Sequence, residues 1–181
     1  IFGGGGNDEL QGNDGNDVIA GEAGHDLLYA QAGNDALYGG NGDDTLSGGD
    51  GDDTLFGGAG NDDLLGGPGD DSYVYERGDG EDVIRDDGGA ADRIVFARSI
   101  APADVTVDSS GNTLIFDVRS NRARVGDRLA IVDGLLATSE IESVEFADGT
   151  VWNSADIVAR LPDSYALTNG LVVTGGANGT T

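Results

Sequence analysis

The chain has 181 residues, a net charge of −25, one His and no Cys. A balance this acidic argues against nucleic acid and anionic membrane surfaces as direct partners, because carboxylates repel phosphates. No segment approaches the roughly 20 apolar residues of a transmembrane helix, and the missing Cys excludes a disulfide framework.

Residues 3–74 are eight copies of a nine-residue unit, G-G-x-G-[N/D]-D-x-L-x. Position four is always Gly, position six is always Asp and position eight is always apolar. The position-eight residues are Leu10, Ile19, Leu28, Leu37, Leu46, Leu55, Leu64 and Tyr73. Chance does not hold three positions in phase over eight units, so the period indicates a stacked repeat architecture.

Each unit combines a turn with a minimal strand. The first six residues are rich in Gly, Asn and Asp, which tolerate positive φ and turn readily. The last three, such as Thr45-Leu46-Ser47, predict a short strand with one side chain pointing inward. One buried side chain cannot offset the ordering of nine residues, at roughly 1–2 kcal/mol each. We therefore predict an all-β parallel roll in which two units make one coil, so that units n and n+2 stack about 4.8 Å apart.

This stacking places Asp8 over Asp26 and Asp17 over Asp35, along two edges. Residues 1–74 contain sixteen acidic residues and no Lys or Arg, so a cation must lie between the carboxylates. Carboxylates and exposed carbonyls suit a hard divalent ion, whereas the absence of Cys and the single His disfavour zinc. Calcium is favoured over magnesium because it accepts six or more protein oxygens with few waters.

The nonapeptide resembles the RTX, or haemolysin-type, calcium-binding family of exported bacterial proteins. The resemblance implies that each ion takes the Asp and the carbonyls of positions two and four from one turn. The turn above would add its own Asp and the carbonyls of positions one and three. One such site combines Gly40, Gly42 and Asp44 with Gly57, Ala59 and Asp62. Eight units form six stacked pairs, which implies about six ions in the regular roll and up to eight in all.

The predicted metal ligands are therefore Asp side chains and turn carbonyls. The Asp members are Asp8, Asp17, Asp26, Asp35, Asp44, Asp53, Asp62, Asp71, Asp82 and Asp92. The carbonyl members are Gly4, Gly6, Gly15, Gly21, Ala23, Gly24, Ala30, Ala32, Gly33, Gly39, Gly40, Asn41, Gly42, Gly48, Gly49, Asp50, Gly51, Gly57, Gly58, Ala59, Gly60, Gly66, Gly67, Pro68, Gly69 and Asp79. No catalytic residue and no other cofactor site is predicted.

The repeat is irregular in units two to four. Asn13, Glu22, Ala30 and Gln31 replace Gly at positions one and two, which predicts strained turns. His25 occupies position five, where the resemblance implies an outward side chain, and no partner for it is predicted at a useful spacing.

Two stretched copies of the unit follow the regular array. R-G-D-G-E-D-V-I-R, from Arg77, brings Asp82 and Ile84 into register, and D-G-G-A-A-D-R-I-V brings Asp92 and Ile94 into register. Residues 75–95 are therefore predicted as a junction of degenerate repeats. They would supply two further calcium sites or only acidic surface loops.

Residues 96–162 form a different kind of sequence, and all nine Arg of the chain lie between Arg77 and Arg160. Apolar alternation predicts strands at 73–75, 94–96, 105–107, 114–118, 129–132 and 144–146. A helix is predicted over Ala155–Leu161, with Ser154 as its N-cap.

These elements predict a small β-rich domain that caps the roll, since the open end of a repeat stack exposes apolar surface and strand edges. Its predicted core is Phe96, Phe116, Phe146 and Trp152. The run I-E-S-V-E-F-A-D-G-T-V-W resembles the segment that follows β-rolls in haemolysin-type proteins.

The ends of the chain carry two expectations. Ile1-Phe2 fit positions eight and nine of a preceding unit, and no initiator Met is present, which predicts a piece of a longer array. Residues 163–181 have no clear core, so they are predicted either to be disordered or to begin another module.

The leading functional hypothesis is a calcium-binding module of a larger secreted bacterial protein, unfolded inside the cell and folded by calcium outside it. The resemblance implies the type I secretion machinery as a partner, and a monomeric fragment is expected. Alternatives are a surface adhesin, which would need a flat row of Thr or aromatic residues that position seven lacks, or the non-catalytic C-terminal module of a secreted hydrolase or toxin. No G-x-S-x-G, H-E-x-x-H or Cys–His pair is present, so any catalysis lies outside this chain.

Overall fold

The computed structural model describes residues 1–86, 88–97, 99–119, 127–132 and 141–162. Within them, two eight-stranded sheets face each other, and the predicted tail, residues 163–181, lies outside the described residues. The strands are β1 (Phe2–Gly5), β2 (Glu9–Asp14), β3 (Val18–Ala23), β4 (Leu27–Ala32), β5 (Ala36–Asn41), β6 (Thr45–Asp50), β7 (Thr54–Ala59), β8 (Asp63–Leu65), β9 (Ser72–Tyr75), β10 (Glu81–Arg85), β11 (Asp92–Phe96), β12 (Val105–Ser110), β13 (Thr113–Val118), β14 (Asp127–Ile131), β15 (Ile141–Phe146) and β16 (Val151–Asn153). A 3-10 turn spans Pro102–Asp104, and helix α1 spans Ser154–Val158.

From β1 to β11, successive strands alternate between the two sheets. The first sheet has the order β1-β3-β5-β7-β9-β11-β15-β16, and the second has the order β12-β13-β14-β10-β8-β6-β4-β2. Neighbours in the regular array are parallel and 18 residues apart, as with Leu37 opposite Leu55 and Leu46 opposite Leu64. The predicted all-β parallel roll, with two units to a coil, is confirmed.

The strands are longer than predicted. Most span six residues, from position seven of one unit to position three of the next, as in Thr45–Asp50. The prediction of three-residue strands was wrong because parallel neighbours on both sides give the Gly-rich segment regular hydrogen bonds. The Gly49 N–H, for example, donates to the Gly66 carbonyl at 2.9 Å. The turns proper are therefore confined to positions four to six.

The position-eight side chains form a single apolar seam between the sheets. Ile19, Leu28, Leu37, Leu46, Leu55, Leu64 and Tyr73 are all buried. Leu10, at the end of the stack, is only partly buried against the seam. Each side chain lies between neighbours from the coils above and below, so the seam exists only when the coils stack.

The seam continues without a break into the C-terminal region. Strand β10 pairs in parallel with β8 on one side and with β14 on the other. Strand β11 likewise lies between β9 and β15. Both sheets of the roll therefore extend into the region that was predicted as a cap, and the predicted boundary at residue 96 falls inside a shared core.

Aromatic side chains fill the C-terminal end of this core, as the sequence predicts. The Phe96 ring lies 5.3 Å from the Phe146 ring, and Trp152 packs against Phe146 with ring centroids 4.6 Å apart. Phe116 contacts Phe96 edge-on at 6.2 Å. All four residues are buried.

The only α-helix among the described residues is shorter than predicted, ending at Val158 rather than Leu161. Its N-cap is Asn153 and not Ser154. The Asn153 side chain accepts a hydrogen bond from the Asp156 N–H at 3.0 Å, and the Asp156 carboxylate accepts one from the Asn153 N–H at 3.2 Å. This reciprocal pair is a capping box. No helix in the described part of the chain is long and apolar enough to cross a membrane.

Candidate metal centres

The position-six Asp residues form one row along each edge of the roll. One row contains Asp8, Asp26, Asp44, Asp62 and Asp82, and the other contains Asp17, Asp35, Asp53, Asp71 and Asp92. Within a row, each Asp N–H except that of the last member donates to the Oδ1 of the Asp in the next coil, as from Asp44 to Asp62 at 2.8 Å. The rows cross the stretched copies unbroken, because Asp62 reaches Asp82 at 3.0 Å and Asp71 reaches Asp92 at 2.7 Å.

In nine of these ten residues the second carboxylate oxygen is buried and has no hydrogen-bond partner. This holds for the Oδ2 atoms of Asp8, Asp17, Asp26, Asp35, Asp44, Asp53, Asp62, Asp71 and Asp92. A buried carboxylate oxygen without a partner is strongly unfavourable in an isolated chain. The Oδ2 rows are therefore the places where a bound cation would be stabilised.

Backbone carbonyls surround each Oδ2 from two successive turns. A Cβ placed on Gly39 would collide with both the Asp44 Oδ2 and the Gly57 carbonyl oxygen, so these two oxygens approach the same point. The Gly42 carbonyl points up at Gly60 in the next turn. Carbonyls of positions two and four thus face the coil above, and that of position one faces the coil below. Only Gly, or Ala30 in unit four, occupies position one.

The position-three carbonyls also face the coil below, where each accepts a hydrogen bond. The Gly42 N–H donates to the Ala59 carbonyl at 2.8 Å, and the Gly60 N–H donates to the Asp79 carbonyl at 2.7 Å. A carbonyl oxygen keeps a second lone pair for another contact. An all-oxygen cage of carboxylates and carbonyls fits a calcium ion. The assignment of the individual carbonyls as ligands stays a prediction.

The stacking predicts unequal effects for two substitutions in the same row. Asp44 is bonded to Asp26 below and to Asp62 above, whereas Asp8 is bonded only to Asp26. We expect Asp44→Ala to impair two calcium sites and Asp8→Ala one. Calcium stoichiometry from titration calorimetry measures this, and an equal drop for both variants would contradict the n and n+2 register.

The irregular units adopt the strained backbone that the sequence predicts. Asn13, Glu22 and Gln31, all at position two, have φ angles of 75°, 78° and 81°. This left-handed conformation is unfavourable for Glu and Gln, so these turns cost more to form than their Gly counterparts. Ala30 at position one needs no such conformation and is fully buried.

His25, for which no catalytic or metal-binding partner was predicted, makes a structural contact with the coil above. The Asp43 N–H donates to His25 Nδ1 at 2.9 Å, and the Asp43 carboxylate lies 3.9 Å from the same nitrogen. The backbone N–H of His25 in turn donates to the Asn7 side-chain oxygen at 3.0 Å. The imidazole thus serves as one rung of a hydrogen-bonded ladder along the outside of the turns.

Position five carries this ladder along both edges. The ladder along the second edge consists of Asn16, Asn34, Asp52 and Asp70. In it the Asp52 N–H donates to Asn34 Oδ1 at 3.2 Å. Position-five side chains accept from the coil above, while position-six side chains accept from the coil below. The recurrence of Asn and Asp at position five was visible in the sequence. The direction of their hydrogen bonds could be assigned only once the stacking register of the coils was known.

Comparison with known proteins agrees with this geometry. The family model for the RTX calcium-binding nonapeptide repeat (4 copies) matches twice, over residues 2–37 and 38–73. The model for the haemolysin-type calcium binding protein related domain matches residues 125–156. The comparison with curated proteins gives no match.

A solved structure with a similar chain is the solution structure of the AlgE6R3 subunit from the Azotobacter vinelandii mannuronan C5-epimerase. It is 25% identical, with a TM-score of 0.46 over 97% of this chain and 90% of that one. The matches of the two family models identify residues 2–73 as RTX haemolysin-type calcium-binding nonapeptide repeats, followed by a haemolysin-type calcium binding protein related domain.

Proposed function

We propose that this chain is a calcium-dependent folding module of a secreted bacterial protein, unfolded where calcium is scarce and folded where it is abundant. The observation that carries the proposal is the double row of buried Oδ2 atoms without partners. In the metal-free chain these carboxylates oppose stacking, and no coil buries enough apolar surface by itself to overcome them. Calcium binding then supplies the folding free energy.

The same property supports a role in export. Extracellular calcium modules have dissociation constants of about 10⁻⁴–10⁻³ M, far above the free calcium inside a cell. A chain with these affinities stays unfolded before export, as passage through a type I secretion channel requires, and folds on reaching calcium outside. Folding outside then prevents backward movement. The activity of the larger protein would reside elsewhere.

Protons compete with calcium for the same carboxylates. Burial raises the pKa of Asp62 and Asp71 to about 7 and that of Asp82 to about 8 in the metal-free fold. Because these pKa values exceed the ordinary value of an unfolded Asp, about 3.9, the metal-free fold binds more protons than the unfolded chain. Its stability is therefore greatest below about pH 4 and is lost progressively as the pH rises from there through about 7–8.

Titration calorimetry tests the proposal. Because the metal-free chain is unfolded near neutral pH and its Asp side chains are ionised at their ordinary pKa of about 3.9, we expect the calcium affinity to be nearly constant from pH 8.5 to 5.5 and to weaken as the pH approaches 4. Magnesium at the same concentration should bind poorly, because it retains its waters. Binding that releases protons near pH 7 would show that the buried Asp rows are already folded and protonated before calcium arrives, which would contradict calcium-dependent folding.

The adhesin alternative has less support. On the outer face of the first sheet, position nine carries the row Ala20, Tyr38, Phe56 and Val74. Tyr38 stacks on Phe56 with ring centroids 4.7 Å apart and is 41% exposed. This single aromatic pair is shorter than the flat row that a surface-recognition face would need, so the observations favour the calcium module.

A further inference from the structure

Three buried carboxylates converge where one edge of the roll meets the C-terminal region. Asp71 precedes β9, Asp86 follows β10 and Asp92 begins β11. A carboxylate oxygen of each lies within 4.8 Å of the others, and their exposures are 0%, 6% and 0%. Asp71 and Asp92 belong to the position-six row, but Asp86 lies outside the repeat and outside all three ranges matched by the family models.

Buried polar atoms point into this cluster. The Oδ2 atoms of Asp71, Asp86 and Asp92 are buried and lack a partner at full hydrogen-bonding geometry, and the Tyr73 hydroxyl, on a residue only 1% exposed, faces the Asp86 carboxylate. A Cβ placed on Gly66 would collide with both the Asp71 Oδ2 and the Tyr73 hydroxyl, so these two oxygens lie beside the same point. A phenol hydroxyl enclosed in this way needs an acceptor or a cation.

Nothing among the described residues neutralises the cluster. The ion pairs in the described part of the chain join other carboxylates, and the nearby Arg85 is paired with Asp63 on the outer face of the second sheet. In the regular turns two stacked carboxylates face the space between coils, whereas here three do. Calcium sites gain affinity with the number of charged ligands.

We propose that Asp71, Asp86, Asp92 and the Tyr73 hydroxyl form a three-carboxylate calcium site that binds more tightly than the two-carboxylate sites of the regular turns. The proposal rests on the calcium-dependent function proposed above and extends it by assigning an order to the loading. Calcium occupies this site first, at the end where the roll joins its C-terminal region.

The surroundings of the site explain why early loading matters. Asp71 and Asp92 lie at the starts of two neighbouring strands of the first sheet, and Asp86 directly follows a strand of the second. The Asp92 N–H also donates to the Glu142 carboxylate of β15 at 2.6 Å. One ion therefore ties the two sheets together beside β15 and prepares a surface on which the next coil stacks.

The test is a calcium titration of the full chain and of Asp86→Asn. The wild type should show one site about tenfold tighter than the others, and Asp86→Asn should lose that tight phase while the weaker sites still titrate. Asp14→Asn is the matched control, because it removes the same charge from an exposed position that lies outside the predicted ligands. Asp86→Glu, which keeps the charge, should retain most of the tight phase.

Terbium luminescence gives a second measurement at the site itself. Excitation of tyrosine should sensitise emission from the first equivalent of terbium, and Tyr73→Phe should remove most of that emission while the emission from later equivalents remains. If Asp86→Asn titrates like Asp14→Asn, or if first-equivalent emission survives in Tyr73→Phe, the three-carboxylate site is wrong although the calcium module stands. If the wild type binds no calcium at all, the proposed function itself fails.

Discussion

Removal of calcium with EGTA is expected to convert residues 3–92 from β structure to coil. The buried Asp rows are stable only with cations between the coils, since their Oδ2 atoms have no other partner in the described residues. Residues 1–74 contain no Lys or Arg to take the place of the ion. The apolar seam alone cannot compensate, because each unit contributes one buried side chain against nine ordered residues.

Circular dichroism measures this change. Calcium added to the metal-free chain should restore the β spectrum cooperatively at about 10⁻⁴–10⁻³ M. Cooperativity is expected because each inner Asp contacts two coils and each coil forms on its neighbour. Magnesium at equal concentration serves as the control and should leave most of the chain unfolded. A β spectrum that EGTA leaves unchanged would refute calcium-dependent folding.

A chain ending at Val74 should stay largely disordered at calcium concentrations that fold the full protein. Truncation there removes β10 and β11, on which the last regular coil stacks, and exposes the seam at Tyr73. The first coil of any stack is the costly one, and a preformed end supplies it. The full chain thus has a nucleus that residues 1–74 lack.

Trp152→Ala tests the same idea without shortening the chain. Trp152 is buried against Phe146, and the Arg160 guanidinium lies 4.0 Å above its ring. Its loss should cost about 3–5 kcal/mol of stability in the C-terminal region, and the calcium midpoint of roll folding should rise. Val151→Ala, at the exposed neighbouring position, is the control and should leave the midpoint unchanged. If residues 1–74 fold at the same midpoint as the full chain, the C-terminal region has no part in nucleation.

The nine-residue period was sufficient to predict the coil, the pairing of units n and n+2 and the two Asp rows. These features follow from one repeated unit and from strand geometry, so they need no long-range information. Asp82 and Asp92 could also be brought into register, because the inserted residues lie in the turns and leave the strands in phase.

Features that depend on contacts between distant segments were missed. Asp86 joins the Asp71 and Asp92 pair from outside the period, so no spacing rule identifies it. The pairing of β14 with β10 joins residues more than 40 positions apart, and alternation within a strand does not specify its partner. His25 accepts a hydrogen bond from Asp43 only because the turns stack directly over one another.

Because the strands of the roll alternate between two sheets, the number of repeats decides which way the segment before them faces. Inserting two units lengthens the roll by one coil, about 4.8 Å, and leaves everything before the insertion facing as it did. Inserting one unit moves each preceding strand to the opposite sheet, which rotates that part of the molecule by half a turn about the roll axis. An odd change in repeat number therefore reverses the face that the preceding segment presents, whereas an even change alters only its distance from the C-terminal region.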